Sequence, residues 1–233
     1  MFFPLPVQIS ETRLQRTPLP IANGVIIALN VVVFLLFDPL SWGVHRAASP
    51  ISILGHGFAH AGFWHLVFNM WVLWVFGNPV NRRLGNGYYL LAYLGAILTL
   101  GLFAYLFLAV PLVGASGAIY AVIGIAALLL PAARMTVIYA AVFPFTILLG
   151  MISRPKYGIF WFVRGGEFQV PVVWCLLFVP IMETVGMFCW WLNSGRWHWG
   201  HFGHLLGFVF GLGVVLLFPR SLTVRRSSTT WST

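Results

Sequence analysis

Three short polar patches interrupt otherwise apolar sequence: His65-x-x-x-Asn69, the tetrad Gly114-Ala115-Ser116-Gly117, and His204 followed by Gly207 and Gly211. A serine hydroxyl is a poor nucleophile until a base takes its proton, and neutral imidazole is the usual base near pH 7. The tetrahedral intermediate of acyl transfer then needs hydrogen-bond donors at its oxyanion, each worth on the order of 100- to 1,000-fold in rate. His65 and Asn69 are four residues apart, so on a helix both face one small cavity. The backbone N–H of Ser116, at a helix start, is a natural third donor. Tyr120, one turn beyond Ser116, can stack on an imidazole. The chain has four acidic residues, Glu11, Asp38, Glu167 and Glu183. None is close to His204 in sequence, and only Glu183 could share its depth. A Ser–His dyad is therefore expected, with the His204 ring held by packing.

The elements that position these residues must be membrane helices. Of 233 residues, 60% are hydrophobic and only 7% charged, with mean hydropathy +0.92; a soluble domain carries roughly a quarter charged residues. The apolar runs are continuous rather than alternating, which specifies helices and excludes a barrel. The net charge of +9 forms no basic stripe, so nucleic acid is not an expected partner and the basic residues read as topology signals. Cys175 and Cys189 fall in one apolar run, roughly 21 Å apart if helical, too far to pair with each other. Residues 1–20, with four prolines and Arg13 and Arg16, lack the charged-then-apolar order of a cleaved signal. They read as a cytoplasmic lead-in.

Apolar runs lie at about 21–37, 62–79, 88–112, 115–133, 135–152, 170–192 and 200–218. If 135–152 does not cross, eleven of the thirteen basic residues lie inside, and only Arg46 and Arg196 lie outside. If it does cross, Arg154, Lys156, Arg164 and the basic end 220–233 move out, against the positive-inside bias. Six spans over 21–219 are thus expected, with 135–169 an interfacial insertion carrying a re-entrant hydrophobic segment, and 220–233 a cytoplasmic tail. Spans two, four and six then run in the same direction, which brings His65, Asn69, Ser116 and His204 to similar depth.

Each patch also has a plainer reading. Polar residues in membrane helices join neighbouring helices, and Gly207 with Gly211 is a close-packing spacing. Gly-x-Ser-x-Ala mimics a nucleophile elbow, but no soluble strand precedes it. His56, His60 and His65 with His198, His201 and His204 could bind a metal or haem, with helical ligand spacing in His56/His60 and His201/His204. No His-Glu-x-x-His motif, no nearby carboxylate and no cysteine ligand supports that, so no cofactor is expected. A transporter would use Glu183 as an intramembrane ion site, which leaves the serine tetrad and the shared depth unexplained.

These residues together resemble the rhomboid intramembrane serine proteases over about residues 21–219. The likeness runs through His56-x-x-x-His60-x-x-x-x-His65-x-x-x-Asn69, Phe76-Gly77, Leu84-Gly85, Tyr93-Leu94, Gly114-Ala115-Ser116-Gly117 with Tyr120, and His204-Leu205-Leu206-Gly207-x-x-x-Gly211. The resemblance implies an all-α six-helix bundle in a multi-pass protein of the plasma (inner) membrane. It implies Ser116 as nucleophile, His204 as base, and His65, Asn69 and the Ser116 N–H as the oxyanion site. Tyr120 would support His204, Gly114 and Gly117 would shape the cavity, and Gly207 and Gly211 would seat the last span. The implied substrates are membrane proteins cut in or beside a transmembrane helix; a catalytically inactive relative that only binds such helices is the alternative. The sequence departs from the family at Ile51-Ser52, where many relatives carry Trp-Arg in the first loop (38–62). It departs again at Asn81, where a glutamate is usual, and that change is expected to weaken a structural hydrogen bond.

Overall fold

A computed structural model describes residues 2–10, 19–142 and 163–217. It contains strand β1 (Phe2–Ser10), helix α1 (Ile21–Leu36), a short α2 (Ser52–Gly55) and α3 (Phe63–Val72). A π-helical turn, Leu73–Gly77, carries α3 into α4 (Asn78–Leu84). Then follow α5 (Asn86–Phe107), α6 (Ser116–Leu129), strands β2 (Arg134–Val142) and β3 (Val163–Pro171), α7 (Cys175–Ser194) and α8 (Trp199–Leu217).

Among the described residues, three helical stretches are long and apolar enough to cross a membrane: Asn86–Phe107, Val172–Ser194 and Trp199–Leu217. Ile21–Leu36 and Ser116–Leu129 are apolar but shorter. At 1.5 Å per residue the 22 residues of α5 rise about 33 Å, slightly more than the hydrocarbon thickness. The molecule is an integral membrane protein, with exposed Leu, Phe and Trp side chains on the outer faces of α1, α3, α5, α7 and α8.

Helix α6 is the centre. Ten of its fourteen residues are buried, and its Gly and Ala positions let neighbours approach the backbone. The closest neighbour is α8. A Cβ on Gly207 would lie 2.0 Å from the Gly117 carbonyl oxygen, and one on Gly211 would lie 2.0 Å from that of Ala121. Only glycine permits this contact, which is the small-residue packing of membrane helices. Helix α7 is peripheral: Cys175 and Glu183 are its buried residues.

At the other end of the bundle a buried amide network joins α1 to the α3–α5 region. Asn81 Oδ1 accepts from the Asn23 N–H at 3.0 Å, and Asn86 Oδ1 accepts from the Ala22 N–H at 3.0 Å, capping the start of α1. Asn81 Nδ2 donates to Asn86 Oδ1. Asn23 Nδ2 donates to the Leu73 carbonyl at the π-turn and to Asn78 Oδ1, while Tyr89 O–H donates to Asn23 Oδ1 at 2.6 Å. Asn81, where the family pattern has a glutamate, thus takes part in two hydrogen bonds of this junction. A neutral amide donates and accepts at once, and here it uses both capacities.

The all-α expectation needs correcting. The fold is mainly helical, but β1, β2 and β3 form an antiparallel sheet in that order. Residues 135–142, expected in an interfacial or re-entrant hydrophobic segment, are most of β2; 143–152 lie outside the described residues, as do 11–18 of the lead-in and the tail 220–233. The physical reason is local. Thr136-Val137-Ile138-Tyr139 is rich in β-branched and aromatic residues. The expected lead-in supplies β1 as an edge strand, where Pro4 and Pro6 are tolerated, with a register shift between Pro6 and Gln8. Ile9 is buried in the core, and Trp71 Nε1 of α3 donates to the Pro6 carbonyl at 2.7 Å.

Candidate active site

Ser116 is the first residue of α6, and His204 lies in the second turn of α8. The glycine contacts between these helices bring the His204 Nε2 to 2.9 Å from the Ser116 Oγ, a full hydrogen bond. Tyr120, one turn along α6, stacks on the imidazole with centroids 4.2 Å apart and planes 3° from parallel.

The segment before Ser116 is pinned rather than loose. Leu112 and Val44 exchange backbone hydrogen bonds of 2.9 and 3.0 Å, and the Gly114 N–H donates to the His56 carbonyl at 2.9 Å. Gly114 has φ +122°, a conformation that favours glycine. A Cβ there would sit 2.9 Å from the His65 ring and 3.8 Å from the Ser116 Oγ, so His65 and Ser116 flank one gap. That gap belongs to a cavity of about 240 Å³ lined in part by His56, His65, Gly114, Ser116, Gly117 and His204.

Asn69 lies one turn beyond His65 on α3, outside the residues lining this cavity. Its Nδ2 is buried, with no hydrogen-bond partner among the described residues. An orphaned buried donor is uncommon and costs on the order of 1–3 kcal/mol.

The residue that the sequence pattern undervalues is Glu183. It sits on α7, is 6% exposed, and meets the far side of His204: the Nδ1 of that ring lies 3.0 Å from Glu183 Oε2. The His201 Nδ1 approaches the same oxygen at 2.6 Å, and the Tyr120 O–H donates to Glu183 Oε1. Beside the packing expected to hold the dyad's imidazole, a buried carboxylate touches it. The available signal was that Glu183 is an acidic residue inside a long apolar run, a placement that is costly and usually functional.

The six histidines weighed as metal ligands do not converge. His56 Nδ1 turns to the Ser52 and Ile53 carbonyls, and His60 and His65 meet edge to face with centroids 5.1 Å apart. The expectation that no carboxylate lies near these histidines is corrected: among the described residues the potential ligand atoms of Glu183, His201 and His204 gather, joined by two His–Glu hydrogen bonds.

A family model for the rhomboid domain matches residues 46–221. The chain is 33% identical over 127 residues to the mitochondrial rhomboid protein 1 of Saccharomyces cerevisiae, covering 47% of this chain and 37% of that protein. It is 43% identical over 65 residues to the rhomboid protease GluP of Bacillus subtilis, covering 28% of this chain and 13% of that protein. It is 26% identical over 205 residues to the human mitochondrial presenilin-associated rhomboid-like protein, covering 82% of this chain and 46% of that protein. The chain thus spans less than half the length of these curated relatives. With the domain matched over most of the sequence, including the segments that carry Ser116 and His204, the chain belongs to the rhomboid family.

Proposed function

We propose that this protein is an intramembrane serine endopeptidase that hydrolyses peptide bonds in or near transmembrane segments of membrane-protein substrates. The observation that carries the reading is the 2.9 Å contact between Ser116 Oγ and His204 Nε2 at the wall of a cavity. His204 takes the serine proton as Oγ attacks the scissile carbonyl. His65, Asn69 and the Ser116 N–H receive the oxyanion, and His204 then returns the proton to the leaving amine. Water completes the cycle by attacking the acyl-enzyme with the same imidazole as base. Tyr120 stacks on the ring, Gly114 leaves room between His65 and Ser116, Gly117 admits the Leu100 side chain, and Gly207 and Gly211 set the distance between the two helices.

In this reading six segments cross the bilayer: α1, the α3–α4 unit, α5, α6, α7 and α8, with residues 21–219 as the membrane domain. The 135–169 insertion and both ends of the chain lie on the side that retains positive charge. The relatives include mitochondrial rhomboids as well as a bacterial protease, so the reading extends from a plasma membrane to any bilayer with that charge bias.

The test is labelling with a serine-directed fluorophosphonate, read beside cleavage of a membrane-anchored reporter. Wild type is expected to label and cleave, and Ser116→Ala and His204→Ala to do neither at normal expression. Cleavage retained by Ser116→Ala removes the nucleophile. A wild type that neither labels nor cleaves points instead to an inactive helix-binding family member.

A further inference from the structure

Resting on the reading of Ser116 as nucleophile, we propose that Glu183 is a positioning residue that completes a Ser116–His204–Glu183 array by holding the His204 proton on Nδ1. The two nitrogens of this imidazole face different partners: Nε2 meets Ser116 Oγ and Nδ1 meets Glu183 Oε2. A neutral imidazole carries one proton. With that proton on Nε2, the ring could not accept the serine hydrogen, and Nδ1 would turn a lone pair toward a carboxylate. With it on Nδ1, both contacts are satisfied and Nε2 is free to act as base.

The surroundings of Glu183 suit an ionised acceptor. Oε1 accepts from Tyr120 O–H, and Oε2 faces the Nδ1 atoms of both His201 and His204. Glu183 is nearly inaccessible, and an isolated carboxylate at this depth would be costly. Here it is ringed by donors, as a buried charge must be. Room for the second imidazole comes from α7 itself, since a Cβ on Gly186 would lie 2.6 Å from the His201 ring.

Two effects follow. Before reaction the carboxylate selects the competent tautomer. During reaction, when the Ser116 proton moves to Nε2, it faces the resulting imidazolium directly. The Nδ1 proton stays on His204, and the proton gained at Nε2 leaves with the amine when the C–N bond breaks. Glu183 neither gains nor loses a proton. Interhelical glue alone would use the same Glu183–His204 contact, but would leave turnover of a folded Glu183→Gln protein close to that of wild type.

The experiment uses the full chain in bicelles with ¹⁵N-labelled histidine and a membrane-anchored reporter. The His204 signals are assigned by their loss in His204→Asn. Wild type is expected to hold the Nδ1–H tautomer at neutral pH, and Glu183→Gln to lose that preference, because an amide can donate to Nδ1. In Glu183→Gln, kcat is expected to fall about 100- to 10,000-fold with KM within about threefold, and Glu183→Asp to recover part of the loss. An Nε2–H tautomer in wild type overturns the proposal even if Glu183→Gln does not fold. So does a Glu183→Gln protein with unchanged His204 signals or with turnover within about threefold of wild type. The tautomer is read equally well in Ser116→Ala, so a failure of the protease reading and a failure of this one are separable.

Discussion

Ser116 and His204 stand 88 positions apart in the chain and 2.9 Å apart in the fold, and the proposed chemistry starts at that contact. The oxyanion donors are the next test at this scale. Asn69 holds a buried Nδ2 without a partner among the described residues and lies outside the residues lining the cavity, so its proposed place in the oxyanion site rests on the variant. Replacing it with Ala should lower turnover about 10- to 1,000-fold and leave the midpoint of thermal unfolding unchanged or raised, because an unsatisfied group is removed. Turnover equal to wild type would remove Asn69 from the oxyanion site. Ser116, His204, His65, Asn69 and Tyr120 stand out in the sequence because their spacing within a helix, or their setting in small residues, marks them locally; the fold gathers Ser116, His204, His65 and Tyr120, while Asn69 lies outside the residues lining the cavity. For Glu183 only the unusual placement was legible, since its partners come from α6 and α8. No periodicity within α7 reveals which of its faces meets those helices.

At the scale of the element, the site exists because α6 and α8 touch backbone to backbone. Gly207 is the sharpest test. A side chain there meets the Gly117 carbonyl oxygen, which as backbone cannot swing aside. Gly207→Val should drive the helices apart, abolish fluorophosphonate labelling and lower thermal stability together. At Gly213, on the same helix, a Cβ would have no heavy atom within 4 Å, so Gly213→Ala should label normally and be neutral or more stable by about 0.5–1 kcal/mol. Equal behaviour of the two variants would show that close packing does not set the catalytic distance. The long helices were readable from hydropathy as continuous apolar runs. The strands were not, because hydropathy alone does not distinguish a short apolar strand from part of a buried helix. Thr136 to Tyr139 carried the β signal in their branching, while the pairing partner Phe2–Ser10 lies more than a hundred residues away.

Across the whole molecule, the loop between α1 and α3 couples folding to pH. His56 and His60 belong to this loop, outside the long helices, and are 2% and 0% exposed. Burial is the main cause that lowers each imidazole from 6.5 to about 4, helped at His60 by the neighbouring His65. The folded state thus disfavours protonation relative to the unfolded chain, which takes up protons near pH 6.5. Stability from these two residues is fully present above about pH 6.5 and declines as pH falls through about 4. The same loop holds the Gly114 N–H through the His56 carbonyl, so its loss should also undo the approach to Ser116. Unfolding midpoints followed from pH 8 to pH 4 should be level at first and then fall below about 6.5. His60→Phe keeps an aromatic ring beside His65 and removes one titrating group, together with a buried Nε2 that has no partner among the described residues. Its acid decline should be shallower than that of wild type. Superimposable curves for the two proteins would mean that His60 does not contribute, and that the acid sensitivity lies elsewhere in the bundle.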